Sequence, residues 1–374
     1  MEKTKDKVTR RKFLKAGAVV AGSAAAAVAM PSVSRAQTVT LKMQGAWGAN
    51  DIFNEFAEDY VTRVNELGGG RLKIEYLVAG AVVKSFQVMD AVHGGVLDAG
   101  HQVTVYWYGK SKVASLFGTG PVFGQNAHHI LGWIHYGGGK ELYAELIAKL
   151  GLNTVGFFCM PMPTQPLGWF KSPIKTSADM KGLKYRTVGL AADVYQEMGV
   201  KVTQLPGGEI VPALEKGVIE AFEYNNPTSD GRFGAADVSK TYMLGSYHQA
   251  AEFFEIIFNK DKFGALASEQ QKILEYSAEA ASTNNYSKAL DNYSKDLQVL
   301  KGKGVNVYRT PKGVFEDQLT AWDTVLERLE KDGFFAKVVK SQKEWSHRVA
   351  YYDLLNAADY KTAFDHYFPG ELGF

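Results

Sequence analysis

Arg186 closes the short apolar run Leu183-Lys-Tyr-Arg186, and the end of a strand is where open α/β sheets keep their ligands. Its planar guanidinium can hold a carboxylate through two parallel hydrogen bonds. A structural ion pair is the plainer reading of the same residue. Glu223 ends a second run, Val218-Ile-Glu-Ala-Phe-Glu223, and is followed by Tyr224, Asn225 and Asn226. An acid, a phenol and two amides suit a hydroxyl, an ammonium or a hard cation held by oxygens. Strand alternation sets Glu223 opposite Phe222, so simple exposure to solvent is the other reading. Tyr106, Trp107 and Tyr108 form an aromatic triplet. Such rings can cover the apolar part of a ligand while a phenol hydrogen-bonds to it, although Trp107 is better suited to core packing.

Motifs for catalysis are missing. The sequence has no G-x-S-x-G elbow, no H-E-x-x-H, no P-loop and no dinucleotide fingerprint after a strand,. Gly68-Gly-Gly70 and Gly137-Gly-Gly139 lack the lysine and spacing of a phosphate cradle and read as turns. His128, His129 and His135 do not make a metal site, because adjacent histidines point apart on a helix. Cys159 is the single cysteine; it excludes an internal disulfide, a cysteine zinc site and an iron–sulfur cluster. Within Val155-Gly-Phe-Phe-Cys159 it reads as a small apolar core residue. These residues point to binding without catalysis and to no required cofactor. An exported, cofactor-loaded oxidoreductase is the rival from another class.

The elements that must position these side chains come from a chain of 374 residues, 46% apolar and 22% charged. That balance suits a soluble globular protein of two domains and excludes disorder, collagen and coiled coil. Residues 1–36 read as an export leader. Thr9-Arg-Arg-Lys-Phe-Leu-Lys15 has twin-arginine form, Ala16–Met30 is weakly apolar, and Ser34-Arg-Ala36 is a small-x-small cleavage pattern,. Eight Lys or Arg and two Asp or Glu leave with it, which turns a formal +2 into −4. A mildly acidic remainder without a basic stripe argues against nucleic acid. No later segment is apolar enough to span a membrane. A periplasmic location by the twin-arginine route is therefore expected.

Val39–Gln44 reads as a strand. A helix capped by Asn50 or Asp51 follows, with Phe53, Phe56, Ala57, Tyr60, Val61, Val64 and Leu67 on its buried face,. Leu72, Ile74 and Tyr76 alternate as a second strand,. Strand, helix, strand opens an α/β layer. Asp90-Ala-Val-His-Gly-Gly-Val-Leu-Asp-Ala99 then echoes Pro212-Ala-Leu-Glu-Lys-Gly-Val-Ile-Glu-Ala221 at a constant offset of 122. Each copy reads as a helix end, a glycine stop and a strand, so two lobes of related topology are expected. The last third is helical. Ser268-Glu-Gln-Gln271 offers a capping box for a helix to about Lys301,. Another starts near Pro311, with Phe315, Leu319, Trp322, Val325, Leu326 and Leu329 on one face.

Three stretches together carry a resemblance: Ser177-Ala-Asp-Met-Lys-Gly-Leu-Lys-Tyr-Arg186, Gly208-Glu-Ile-Val-Pro-Ala-Leu-Glu-Lys-Gly-Val-Ile-Glu-Ala221 and Phe258-Asn-Lys260. In wording, order and spacing the chain resembles the solute-binding proteins of TRAP transporters, the DctP family, over essentially all of it from about Val39. The resemblance implies an α/β, two-lobed periplasmic binding protein fold of type II-like form. Residues 37–160 would form mainly lobe 1, 161–260 mainly lobe 2, and 261–374 a helical region that braces the lobes or swaps between subunits. It implies hinge closure over a small organic acid, delivery to TRAP permease membrane subunits, and Arg186 as the partner of the ligand carboxylate. The branch it is most similar to binds 2-oxo and 2-hydroxy monocarboxylates, can hold Na⁺ or Ca²⁺ beside the ligand, and forms homodimers. On that pattern Gln165, Glu223 and the Tyr224 carbonyl are cation ligands. Gln249 stands where the branch has a further acid. Tyr106 and Asn225 are ligand contacts. A C4-dicarboxylate or sugar acid is the alternative ligand, and a second cation in the cleft would be its mark.

Overall fold

The computed structural model describes residues 38–121 and 123–374; the leader read over residues 1–36 lies outside them. Val39–Phe374 forms one compact unit. β1 (Val39–Gly45) leads to α1 (Ile52–Leu67), which Asp51 caps by accepting the Phe53 N–H at 3.0 Å. The expected apolar face of α1 is buried from Phe53 to Val64. Leu67 is exposed because the helix ends there, at Gly68. β2 (Leu72–Leu77), α2 (Val88–His93) and β3 (Ala99–Gln102) complete a parallel trio with β1. After α3 (Ala127–Tyr136) and α4 (Gly139–Lys149), β4 (Thr154–Met162) carries the chain towards the second lobe.

That lobe comprises β5 (Gly168–Phe170), β6 (Lys184–Arg186), α5 (Ala191–Glu197), β7 (Lys201–Thr203), α6 (Ile210–Glu215) and β8 (Ala221–Phe222). α7 (Pro227–Arg232), α8 (Ala235–Val238) and β9 (Thr241–Leu244) follow. The chain then returns. β10 (Glu252–Asn259) is buried throughout and runs antiparallel between β3 and β4. The span 161–260 thus also carries an interior strand of the first sheet, as its long apolar run requires.

Helices dominate the remainder: α9 (Lys260–Gly264), α10 (Ser268–Gly302), α11 (Lys312–Leu329), α12 (Gly333–Asn356) and α13 (Tyr360–Tyr367), with β11 (Asn306–Arg309) between α10 and α11. The capping box is not the expected one. Gln270, not Gln271, accepts the N–H of Ala267 at 3.1 Å, while Gln271 donates to the carbonyls of Phe263 and Leu266. On α11 the stripe passes through Val314, Gln318, Ala321, Trp322, Val325 and Leu326, and Leu319 is exposed. The helix is rotated from its expected face because Gln318 turns inward to bond Ser246 and the Tyr247 N–H.

The two sheets run β2-β1-β3-β10-β4 and β7-β6-β8-β5-β9-β11. In each, a parallel trio is followed by one antiparallel strand. The sequence echo is the same unit used twice. Gly95 and Gly217 both take positive φ, 75° and 66°, which glycine adopts without a Cβ clash. Beyond them the Val96 N–H donates to Ala91 and the Val218 N–H to Ala213, each at 2.9 Å. Asp98 then accepts the N–H of Lys42, and Glu220 that of Lys184. Four crossings join the lobes: residues 163–167, residues 245–251, α10, and the turn from α11, which packs on α5, to α12, which packs on α3 and α4. Helix α10 buries Leu274, Ala278 and Ala281 in the first core and Leu300 in the second.

Candidate ligand-binding cleft

Where the lobes meet lies a small, tightly closed cavity. The first lobe supplies Trp47, Phe53 and Tyr106, and the second supplies Arg186, Val188, Tyr224 and Asn225. Gln165 and Gln249 come from the two extended crossings, and Glu252 from the start of β10. Arg186 is 1% exposed. Its Nε donates to the Leu205 carbonyl at 2.8 Å, and its Nη1 to the Glu223 carbonyl at 2.8 Å and Oε1 at 3.0 Å. Nη2 makes no hydrogen bond among the described residues. The ion pair and the cleft position, two readings of Arg186 in the sequence, are therefore both present.

Glu223 is fully buried, so the solvent-exposed reading is wrong. Glu223 follows the last residue of β8 and turns into the closed cleft, where Arg186 pairs with it. Burial pushes the Glu223 carboxyl up to about 7, against the pull of Arg186. Glu252 stands beside it in effect. Burial, with the charge of Glu223 adding, drives its carboxyl up to about 8. Gln165 Nε2 and Asn225 Nδ2 both donate to Glu252 Oε2, the latter at 2.9 Å. Glu252 was not singled out from the sequence. Its signal was there: two acids, Glu252 and Glu255, interrupt an otherwise apolar strand.

Two amide oxygens at this cluster, Gln165 Oε1 and Gln249 Oε1, are buried without a hydrogen-bond partner among the described residues, and the free carboxylate oxygen of Glu223 has only the Thr187 hydroxyl beside it. Buried acceptors left unpaired are costly and rare. Two carboxylates with amide oxygens form a donor set for a hard cation, and the arginine beside them is left for an anionic group. Among the described residues no group of three or more His, Cys, Asp or Glu is placed to hold a metal, so any cation here relies on amide and carbonyl oxygens as well. Gln249 Nε2 is fixed on the Val188 carbonyl at 3.2 Å. The Gln165 N–H reaches the Gln249 carbonyl at 3.3 Å, tying the two crossings together.

The aromatic triplet divides its work. Tyr106 lines the cavity, with its ring 4.5 Å from Phe86 and 6.1 Å from Trp47. Trp107 is core. Tyr108 donates to Asp193 at 2.7 Å, beside Lys112. Asn225 is held by Asp230, whose Oδ1 accepts its N–H at 3.3 Å. The Tyr224 ring lies 5.8 Å from the Arg186 guanidinium, and its phenol donates to Asp51 at 2.5 Å.

Two lobes joined by four crossings, with a buried arginine at the strand ends, define a receptor that encloses a small solute. The chain belongs to the DctP family, described as "Bacterial extracellular solute-binding protein, family 7", which it matches over residues 43–334. It is 30% identical over 307 residues to a monocarboxylate 2-oxoacid-binding periplasmic protein of Nostoc sp., covering 82% of this chain and 84% of that protein. A TRAP transporter solute-binding protein from Bordetella bronchiseptica, a dimer with calcium and picolinate in one site, is 29% identical. It superposes with a TM-score of 0.83 over 90% of this chain and 98% of its own. One from Colwellia psychrerythraea, with bound calcium and pyruvate, is 30% identical with a TM-score of 0.81, covering 88% and 99%. The family comprises extracytoplasmic solute-binding receptors, and this chain is a receptor rather than an enzyme.

Proposed function

We propose that this receptor closes over a small 2-oxo or 2-hydroxy monocarboxylate, of the size of pyruvate or lactate, together with Na⁺ or Ca²⁺. The carrying observation is the pair of buried, unpaired amide oxygens of Gln165 and Gln249 in the cavity that the Arg186 guanidinium lines, with the Glu252 carboxylate beside them. Arg186 binds the carboxylate through Nη2. Gln165, Glu223, Glu252 and the Tyr224 carbonyl hold the cation, with Gln249 at its edge. The cation supplies the positive charge that the paired acids and a keto or hydroxyl oxygen both need. Tyr106 and Asn225 contact the ligand, and Trp47 and Phe53 wall off its apolar end. Arg186 is the single basic side chain lining the cavity. That favours a monocarboxylate over a C4-dicarboxylate or a sugar acid. The bound calcium and pyruvate of the Colwellia protein support the same choice.

The receptor would deliver its solute to TRAP permease subunits after export to the periplasm by the twin-arginine route. Pairing into a homodimer through its last helices fits the exposed Tyr351, Tyr352, Leu354, Leu355 and Phe364 on α12 and α13. The test of the ligand is mass spectrometry of whatever acid leaves protein purified natively, with metal analysis of the same sample. A 2-oxo or 2-hydroxy monocarboxylate with one cation per site is expected. A dicarboxylate without metal would overturn both the ligand class and the cation site.

A further inference from the structure

Asp51 does more than cap α1. Its Oδ1 accepts the Phe53 N–H of its own helix at 3.0 Å and also the Ser229 hydroxyl at 2.8 Å. Its Oδ2 accepts the Tyr224 phenol at 2.5 Å. Ser229 and Tyr224 belong to the second lobe, on α7 and on the loop after β8. One turn further along α7, Arg232 donates to the Asn50 carbonyl at 3.2 Å and to Glu55 at 2.7 Å. Within this set, Asp51, Asn50 and Glu55 of the first lobe accept, and Tyr224, Ser229 and Arg232 of the second donate. The contacts therefore exist only while the lobes are together.

We infer that Asp51, Tyr224 and Ser229 form a latch across the cleft mouth that sets how long the closed receptor retains its solute. The Arg232–Glu55 pair is more than a third exposed on each side, and such rim pairs contribute little. Asp51 is half-buried and accepts three hydrogen bonds, and bonds to a charged acceptor out of full solvent are the stronger kind. Tyr224 joins the latch to the site. Its ring lines the cavity beneath the Arg186 guanidinium, so fixing the phenol on Asp51 also fixes that wall. Asp51 is thus a positioning residue, acting through Tyr224. Opening must break the latch, whereas the first encounter with solute precedes it. The effect falls on the dissociation rate.

This inference rests on the small-acid reading for its ligand, and its test separates the two. Stopped-flow binding of pyruvate with calcium compares wild type with Asp51→Asn and Tyr224→Phe. Asparagine caps a helix as well as aspartate, and phenylalanine removes only the phenol oxygen. Each variant should release pyruvate roughly tenfold faster, with the association rate little changed, and the double variant should add little to either single one. In parallel, spin labels at Glu66→Cys and Lys216→Cys, one exposed position on each lobe, read the interlobe distance without ligand. The double variant should shift that distribution to longer distances. Unchanged release and unchanged distances would overturn the latch, as would an equal fall in the melting temperatures of free and bound protein. If wild type binds no pyruvate, the small-acid reading fails, and the label distances still decide the latch.

Discussion

The two lobes place different chemistry at matching positions. Lys42 and Lys184 are equivalent through their bonds to Asp98 and Glu220, so Gln44 in the first lobe corresponds to Arg186 in the second. By the sequence echo, His101 corresponds to Glu223. Gln44 spends its whole amide on the loop at Val82 and Val83. His101 is fully buried between Trp47 and Phe254, and burial drives its imidazole down to about 3, so it is neutral. The second lobe instead carries a buried charge pair at the same two positions. A duplicated scaffold has thus been divided into a neutral, aromatic wall and a charged one. The Arg186–Glu223 pair is in register before closure, and Glu252, at the start of β10 in the first sheet, is the acid that meets it there.

The sharpest way to break that comparison is Arg186→Ala. It removes the one cation and leaves Glu223 buried and unpaired, so binding of pyruvate should weaken by more than about 3 kcal/mol. Calorimetry showing retained affinity would return Arg186 to a structural role. Next comes the acid side. Glu252→Gln, or chelation of the wild type, should cost about 1.5–3 kcal/mol of binding, and equal titrations with and without chelator would remove the cation.

The pH dependence sharpens the charged wall further. Glu223 and Glu252 are raised to about 7 and 8, above the ordinary carboxyl value of about 4.3. In cation-free protein their contribution to stability is full below that ordinary value and is lost as pH rises through 7 to 8. A cation needs both ionised. The melting-point gain from calcium should therefore be small near about pH 6 and grow towards about pH 9, and Glu252→Gln should flatten that growth. A gain independent of pH would contradict the assignment.

A smaller effect is expected at Gly189, where the lobes touch. It holds φ 65°, and a Cβ there would meet Val105 Cβ at 3.0 Å across the cleft. Gly189→Ala should weaken ligand binding by about 1 kcal/mol, read by the same calorimetry. Smallest of all, His101→Leu should leave affinity unchanged, since the neutral wall needs no imidazole. A measurable loss there would mean that the first lobe has polar chemistry of its own.

Much of this division was legible in the sequence. The echo gave the paired topology because a glycine with positive φ and a strand-leading acid leave a local signature. Arg186, Tyr106 and Asn225 sit at strand ends that periodicity locates. Glu223 was ambiguous because alternation cannot tell a residue facing a closed cleft from one facing solvent. Its burial is decided by the closed cleft and by Arg186, which lies 37 residues away. Glu252 was hidden for the same reason: its strand pairs back into the first sheet across most of the chain. Asp51 read correctly as a cap, but its second duty depends on a partner lobe that no local pattern reveals.

The 35-residue helix α10 has a mechanical consequence. At 1.5 Å per residue it is about 52 Å long, and between Ser268 and Lys301 it contains neither proline nor glycine, so any bend would centre on Ser282 and Ser287, which bond back to the carbonyls of Ala278 and Thr283,. It is bolted to one lobe at Leu274 and Ala278 and to the other at Leu300. The two extended crossings are cords that bend at a few dihedral angles, whereas the helix is a rod that resists stretch and twist. Such a linkage allows essentially one rotation, which brings the neutral wall back onto the charged one in the same register at every stroke.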